Sequence, residues 1–318
     1  MSPTVSPAIP LWIDCDPGID DAIALLLAVA SPRLALQGIT TVAGNVPVTL
    51  TSRNGLRILE LANCPTIPLY AGCSVPIFRS PIFAEDIHGQ DGLGGVTLPP
   101  PQIQAQSTFG VTALMTALRH IPTPLTIATL GPLTNLAIAL IQEPPLAKQI
   151  QQLVIMGGSL GQGNVTPSAE FNFYADPHAA QIVFDRVQTY HIPTTVIGLD
   201  VTHKVIASPP YQERIKALQT PVSQAILAML ASYAQSPEAL ERQFTGPPLH
   251  DPCVIAYLLQ PELFTTRPAT LAIETQSALT LGRSVISWIT DSPIQVATQV
   301  NADGFFDLLI AALGQLAP

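Results

Sequence analysis

The chain has 318 residues, 47% hydrophobic and only 11% charged, which is ample for a large core. Its formal net charge of −9, with no basic cluster, argues against nucleic acid as a partner. The longest apolar run, Ala22 to Ala30, is half the roughly 18 residues of a membrane span, so no membrane association is expected.

The opening Met1-Ser-Pro-Thr-Val-Ser-Pro7 lacks a basic stretch followed by an apolar one, and no signal peptide is expected. From there, β-type apolar runs alternate with segments of helical period. Strands are predicted over 11–16, 36–42, 125–130, 153–156 and 195–199. Helices are predicted over 20–30, 50–62, 110–119, 133–141 and 177–186. Residues 204–260 read as helical, including 223–234 and 252–259. Three short strands, 270–275, 284–290 and 294–300, precede a last helix over 305–313. Continuous Val/Ile/Leu strands with helices between them indicate an α/β, Rossmann-like open sheet, mostly parallel and covered on both faces, with a small antiparallel C-terminal appendage. No internal repeat or dividing linker is visible, so 1–318 reads as one domain. Cys15, Cys64, Cys73 and Cys253 show no CxxC spacing and read as reduced thiols of a cytoplasmic protein.

Ligands of such sheets bind beyond the carboxyl ends of the strands. Several predicted strands end there in polar or glycine-containing turns: Asp14-Cys-Asp-Pro-Gly18, Val42-Ala-Gly-Asn45, Leu130-Gly-Pro132, Met156-Gly-Gly158 and Leu199-Asp200. The first carries four carboxylates within eight residues, Asp14, Asp16, Asp20 and Asp21, between an apolar strand and an apolar helix. An Asp pair at a helix start alone is ordinary capping. A helix N-terminus favours about one negative charge by up to roughly 1 kcal/mol, which cannot neutralise three or four side by side. Flanks this apolar point to a bound cation, and an all-oxygen donor set suits magnesium, calcium or manganese over zinc.

Further strings share the rim: Ile87-His-Gly-Gln-Asp-Gly-Leu-Gly-Gly95, Thr129-Leu-Gly-Pro-Leu-Thr-Asn135, Gly163-Asn-Val-Thr-Pro-Ser-Ala-Glu-Phe-Asn172 with Asp176-Pro177, Gly198-Leu-Asp-Val-Thr-His203, and Leu249-His-Asp-Pro252. Together and in this order they resemble the nucleoside hydrolase family, the inosine–uridine type ribohydrolases, over about residues 11 to 310. The resemblance implies calcium-dependent hydrolysis of the N-glycosidic bond of ribonucleosides to ribose and free base, a part in purine or pyrimidine salvage, and a homodimer or homotetramer. Asp16 matches a calcium ligand that takes a proton from the attacking water, Asp21 the bidentate ligand, and Asp251 a ligand from a distant helix. Leu130 stands where the family uses a backbone carbonyl as ligand, in place of the threonine often found there. Asp20, Asn164, Glu170 and Asn172 match binders of the ribose hydroxyls, Met156 a residue beneath the sugar, and Asn45 a neighbour of the acids. His88 and His250 match the pair that face the base and help it leave.

The residue types suit this chemistry on their own terms. Breaking an N-ribosidic bond builds positive charge on the sugar, which an anionic floor stabilises. Water needs a divalent ion or a base to attack, and the base needs a proton to leave, which histidine can supply. Base discrimination is expected from the stretches around 73–95 and 225–250. His120, His178 and His191 read as structural or surface residues, His203 as support for the site at most. Trp12, Trp288, Met115 and Met229 read as packing. Two other readings stand beside the main one. An apolar strand ending in Asp-x-Asp also opens haloacid-dehalogenase-like phosphatases, but Lys148, Lys204 and Lys216 sit in no fitting motif. A nucleoside-binding protein on the same fold would have no need of Asp16, Asp21, His88 and His250 together.

Overall fold

The computed structural model describes residues 7–316, so most of the stretch read as lacking a signal peptide lies outside it. In chain order the first part runs β1 (Ile9–Cys15), α1 (Ile19–Ala30), β2 (Leu34–Thr41), α2 (Val48–Leu61), β3 (Leu69–Ala71), α3 (Glu85–His88) and α4 (Gly110–His120). Then come β4 (Leu125–Thr129), α5 (Thr134–Gln142), β5 (Ile150–Met156), α6 (Phe171–Ala175), α7 (Pro177–Tyr190), β6 (Thr194–Ile197) and α8 (Leu199–Thr202). A helical stretch follows: α9 (Pro209–Lys216), α10 (Pro221–Tyr233), α11 (Pro237–Glu241) and α12 (Pro252–Leu259). The end is β7 (Phe264–Ile273), β8 (Ser284–Trp288), β9 (Ile294–Val300) and α13 (Ala302–Leu313).

The nine strands form one sheet in the order β3-β2-β1-β4-β5-β6-β9-β7-β8. From β3 through β9 every pairing is parallel, and β7 and β8 add on antiparallel. Of the three C-terminal strands, β9 therefore belongs to the parallel body and only β7 and β8 form the appendage. The predicted long elements are all present. The strand β3 was not anticipated, because three residues between Pro68 and Gly72 carry no periodicity.

Alternation along β1 shows why the strands read as continuous apolar runs. Leu11, Ile13 and Cys15 pack on one side with α1, α2, α10, α12 and α13, while Trp12 packs on the other with α4, α5 and α7. Both faces are covered, so both sets must be apolar. In α1 every residue except Val29 is buried, which accounts for a helix apolar all round without a membrane. Truncating one of its leucines to Ala should cost about 2–5 kcal/mol. Among the described residues no helix is long and apolar enough to cross a membrane.

The strand order reverses direction between β1 and β4, each of which starts an oppositely growing half of the sheet. At such a switch point the connections diverge to opposite faces and leave a crevice at the carboxyl ends. The turn carrying Asp16 and the turn carrying Leu130 flank that crevice.

Candidate active site

The backbone leaves β1 at Cys15, turns through Pro17-Gly18, and enters α1 with Asp20 and Asp21 in its first turn. Asp21 holds this turn together: its carboxylate accepts from the Asp16 N–H (3.0 Å), the Gly18 N–H (3.0 Å) and Asn45 Nδ2 (2.9 Å). Asp16 accepts from the Asn45 N–H at 2.7 Å, and Asn45 Nδ2 also donates to the Asp16 carbonyl at 3.0 Å. Asn45 thus braces both acids. Gly44 and Gly131 close over Asp16 from the ends of two neighbouring strands; a Cβ on either would lie 2.0 and 2.2 Å from its carboxylate oxygens. Those positions must be glycine for Asp16 to keep its place.

Asp251, directly before α12, comes in from the distant part of the chain. Carboxylate oxygens of Asp20, Asp21 and Asp251 lie within 4.8 Å of one another, the one such metal-type group among the described residues. Asp16 stands beside this trio rather than inside it. All four are buried, and burial raises each above the ordinary carboxylate range, with repulsion from neighbouring acids adding to it at Asp16, Asp20 and Asp251; Asp16 and Asp251 rise strongly and Asp20 to about 7. No Lys or Arg lines the inner cavity. A cluster of this kind must either take up protons or hold a cation. The donors are oxygens throughout, so they fit a hard divalent ion.

Asp14, the first acid of the string, is not part of the site. It is the last side chain on the Trp12 face of β1, where the Thr40 hydroxyl and Asn135 Nδ2 (2.8 Å) donate to Oδ1. Burial raises it to about 6. Strand alternation sends it under the rim, whereas Asp16 lies beyond the last paired residue.

Beside the acids is a wall of amide and carboxyl groups. Asn172 Nδ2 donates to the Leu130 carbonyl (2.6 Å) and lies 3.3 Å from both the Met156 carbonyl and its Sδ. The Leu130 carbonyl keeps a second lone pair. Glu170 caps α6, accepting from Asn172, Phe173 and Gly158 N–H groups at 2.8, 3.2 and 2.9 Å. Burial nevertheless raises it to about 7. Asn164 accepts from the Phe171 N–H at 3.0 Å, which fixes its side chain at the cavity edge.

The histidines also line the cavity. His88 closes α3, and its Nδ1 accepts from the Ile19 N–H at the start of α1 (3.1 Å), so the proton of the neutral ring sits on Nε2. His250 Nδ1 lies 2.7 Å from Thr202 Oγ1, and its Nε2 lies 3.1 Å from the Tyr233 hydroxyl. Burial lowers His88 to about 3 and His250 to about 4, so both rings are neutral near pH 7. Tyr233 packs between them, 5.9 Å from His88 centroid to centroid.

One cavity gathers every expected site residue except Asp21, which lies behind Asp16 and Asp20. It also collects residues that were not singled out: Phe83, Asp86 and Ile87 from one expected base-discriminating stretch, Tyr233 and Glu238 from the other. The sequence marks those stretches but not the individual residues, because a lone Tyr or Glu on a helix has no spacing to distinguish it. His203 supports from behind, its ring edge-on to His250 at 5.6 Å. Trp288 packs on the edge strand β8, 38% exposed, beneath the Arg267 guanidinium. The lysine that a haloacid-dehalogenase-like phosphatase would need is absent from the cavity lining.

Comparison with known proteins bears on this arrangement. The profile described as "Inosine-uridine preferring nucleoside hydrolase" matches residues 11–307. A "Pyrimidine-specific ribonucleoside hydrolase RihA" of Shigella boydii serotype 4 (strain Sb227) is 44% identical over 306 residues, covering 95% of this chain and 97% of its own. Among solved structures, the "Purine-Preferring Ribonucleoside Hydrolase from Gardnerella vaginalis" superposes with a TM-score of 0.88 at 30% identity, covering 96% and 98% of the two chains. The "Plant nucleoside hydrolase - PpNRh1 enzyme" superposes with a TM-score of 0.89, also at 30% identity, covering 96% and 99%.

Proposed function

The chain belongs to the inosine-uridine preferring nucleoside hydrolase family and is a ribonucleoside N-ribohydrolase, and from that premise we propose calcium-dependent cleavage of pyrimidine ribonucleosides to ribose and a free base for salvage. The carrying observation is one cavity with a metal-type acidic floor, amide and carboxyl groups suited to ribose hydroxyls along one wall, and two neutral histidines in its lining. The pyrimidine preference rests on relatives: identity is 44% to a pyrimidine-specific enzyme and 30% to a purine-preferring one.

Asp16, Asp21, Asp251 and the Leu130 carbonyl would hold the calcium ion, whose all-oxygen preference they satisfy. Bound there, a divalent ion supplies Lewis acidity that lowers the pKa of water by several units. Asp16 takes the proton of the attacking water as its oxygen bonds to the anomeric carbon. Asp20, Asn164, Glu170 and Asn172 grip the ribose hydroxyls, Met156 lies under the sugar, and Asn45 keeps Asp16 and Asp21 aimed. The C–N bond breaks with its electron pair going to the base, while the anionic floor stabilises the positive charge on the ribose. His88, with its proton on Nε2, and His250, linked to the Tyr233 hydroxyl, donate hydrogen bonds to the departing base and so stabilise the electron pair it carries away.

Residues 1–318 act as one domain, for which the single continuous sheet speaks, in a cytoplasmic protein with four free cysteines. The family resemblance supports a homodimer or homotetramer, and light scattering on the purified protein checks it. The function is tested by measuring base release from uridine, cytidine, inosine and adenosine with and without a chelator. Pyrimidine nucleosides should turn over fastest, with activity lost to the chelator and restored by calcium. Chelator-resistant turnover would remove the ion from the reading, and no turnover of any nucleoside would remove the substrate class.

A further inference from the structure

The inner cavity opens into an outer cleft, and five residues line both: Asp86, Ile87, Asn164, Val165 and Glu238. They form the ring where the inner cavity meets the outer cleft. Ile87 and Val165 are apolar, Asn164 Oδ1 is engaged by Phe171, and Asp86 is exposed to solvent. Glu238 differs from them. Its side chain is only 9% exposed, and two groups hold it: His203 Nε2 at 3.2 Å and Arg242 Nε at 3.5 Å. Both engage Oε1, and Oε2 has no protein partner among the described residues. Arg242 also donates to the Gly163 carbonyl at 2.6 Å, so the carboxylate is clamped where two loops meet.

Burial works to raise Glu238, but the His203 hydrogen bond and the neighbouring positive charges outweigh it and hold it below the ordinary value. The floor acids are all shifted upward. A fixed, ionised, half-satisfied carboxylate at the base end is an acceptor that any occupant must match with a donor or leave unpaired at a cost.

We propose that Glu238 reads the far edge of the nucleobase, its free Oε2 accepting from a ring N–H or exocyclic amino group. The enzyme thereby selects pyrimidine ribonucleosides whose edge donates. The inference rests on the N-ribohydrolase reading of the same cavity. The rival is a purely structural Glu238, whose only part is to clamp α11 through Arg242.

The test compares kcat/KM for uridine, for 3-methyluridine, which lacks the N3–H, and for p-nitrophenyl riboside, which has no base edge. The wild-type enzyme should favour uridine over 3-methyluridine by at least about tenfold, as expected where a site acceptor is left unpaired. Glu238→Ala should lose at least about tenfold on uridine, fall less than about threefold on p-nitrophenyl riboside, and lose most of the preference against 3-methyluridine. Equal wild-type turnover of the two uridines overturns the proposal without any variant. So does an unchanged uridine rate in Glu238→Ala, which would make the preference steric, or an equal loss on all three substrates, which would make the residue structural. If Glu238→Ala fails to fold, the isosteric Glu238→Gln carries the same comparison: a uridine loss with p-nitrophenyl riboside retained supports base reading, and equal loss or none on both overturns it. A wild-type enzyme that cleaves p-nitrophenyl riboside but no nucleoside would instead overturn the underlying substrate class.

Discussion

The acidic floor and the base-facing wall of the cavity are built in opposite ways. On the floor, Asp16, Asp20 and Asp21 come from one turn of six residues, braced by Asn45 and enclosed by Gly44 and Gly131. The wall draws His88 from a four-residue helix, Tyr233 from the end of α10, Glu238 from α11 and His250 from the residue before Asp251. Floor acids are shifted upward by burial among like charges; wall histidines are shifted downward, chiefly by burial with nearby cationic groups adding to it, and stay neutral. The difference separates what every ribosyl substrate needs, a charged and rigid floor, from what distinguishes one leaving group from another, which is carried by side chains on separate, adjustable elements.

That division predicts that floor lesions ignore the leaving group and wall lesions do not. The largest effect should come from Asp16→Asn, which keeps size and much of the hydrogen bonding but removes the base. Steady-state kcat should fall by about 10² or more on uridine and on p-nitrophenyl riboside alike, within the range for losing a general base. Near-normal turnover would assign the base to another residue, and a loss confined to KM would leave Asp16 only a binding role.

A smaller, substrate-dependent effect belongs to the wall. His250→Ala should lose at least about tenfold in kcat on uridine or inosine, the scale expected for losing a hydrogen-bond donor to a poor leaving group. It should retain most activity on p-nitrophenyl riboside, whose phenolate leaves with little help, and His88→Ala should follow more mildly. Equal losses on both substrates would erase the distinction between wall and floor.

The smallest effect is on stability. Without an ion, Asp20 and Glu170 titrate at about 7, raised chiefly by burial. The folded protein then holds protons that the unfolded chain has already released, so their contribution falls as pH rises from about 4 through 7. His88 and His250, lowered by burial, act in the opposite sense, but only below their ordinary value of 6.5. Between pH 6.5 and 8 the acids decide. Chelated protein should melt a few degrees lower at pH 8, at about 2–4 °C per kcal/mol for larger domains, and calcium should close the gap. A flat melting temperature across that range would mean that floor charge does not limit the ion-free fold.

The same contrast explains what could be read in advance. Strands, helices and the parallel body were legible because each is a local period, and the acidic turn was legible because its acids are neighbours in sequence. The ligand-type residues Asp251, Glu170 and Asn172 were reachable only through the order of several motifs. Sequence alone determined the alternation of apolar strands and helices, and with it a sheet buried on both faces and acids at the rim of β1. Only the tertiary structure decided that Asp20 joins Asp21 and Asp251, and that Tyr233 and Glu238 meet the histidines. Periodicity fixes which face of an element is buried, whereas contacts between residues as distant as Ile19 and His88 depend on how those elements cross in space.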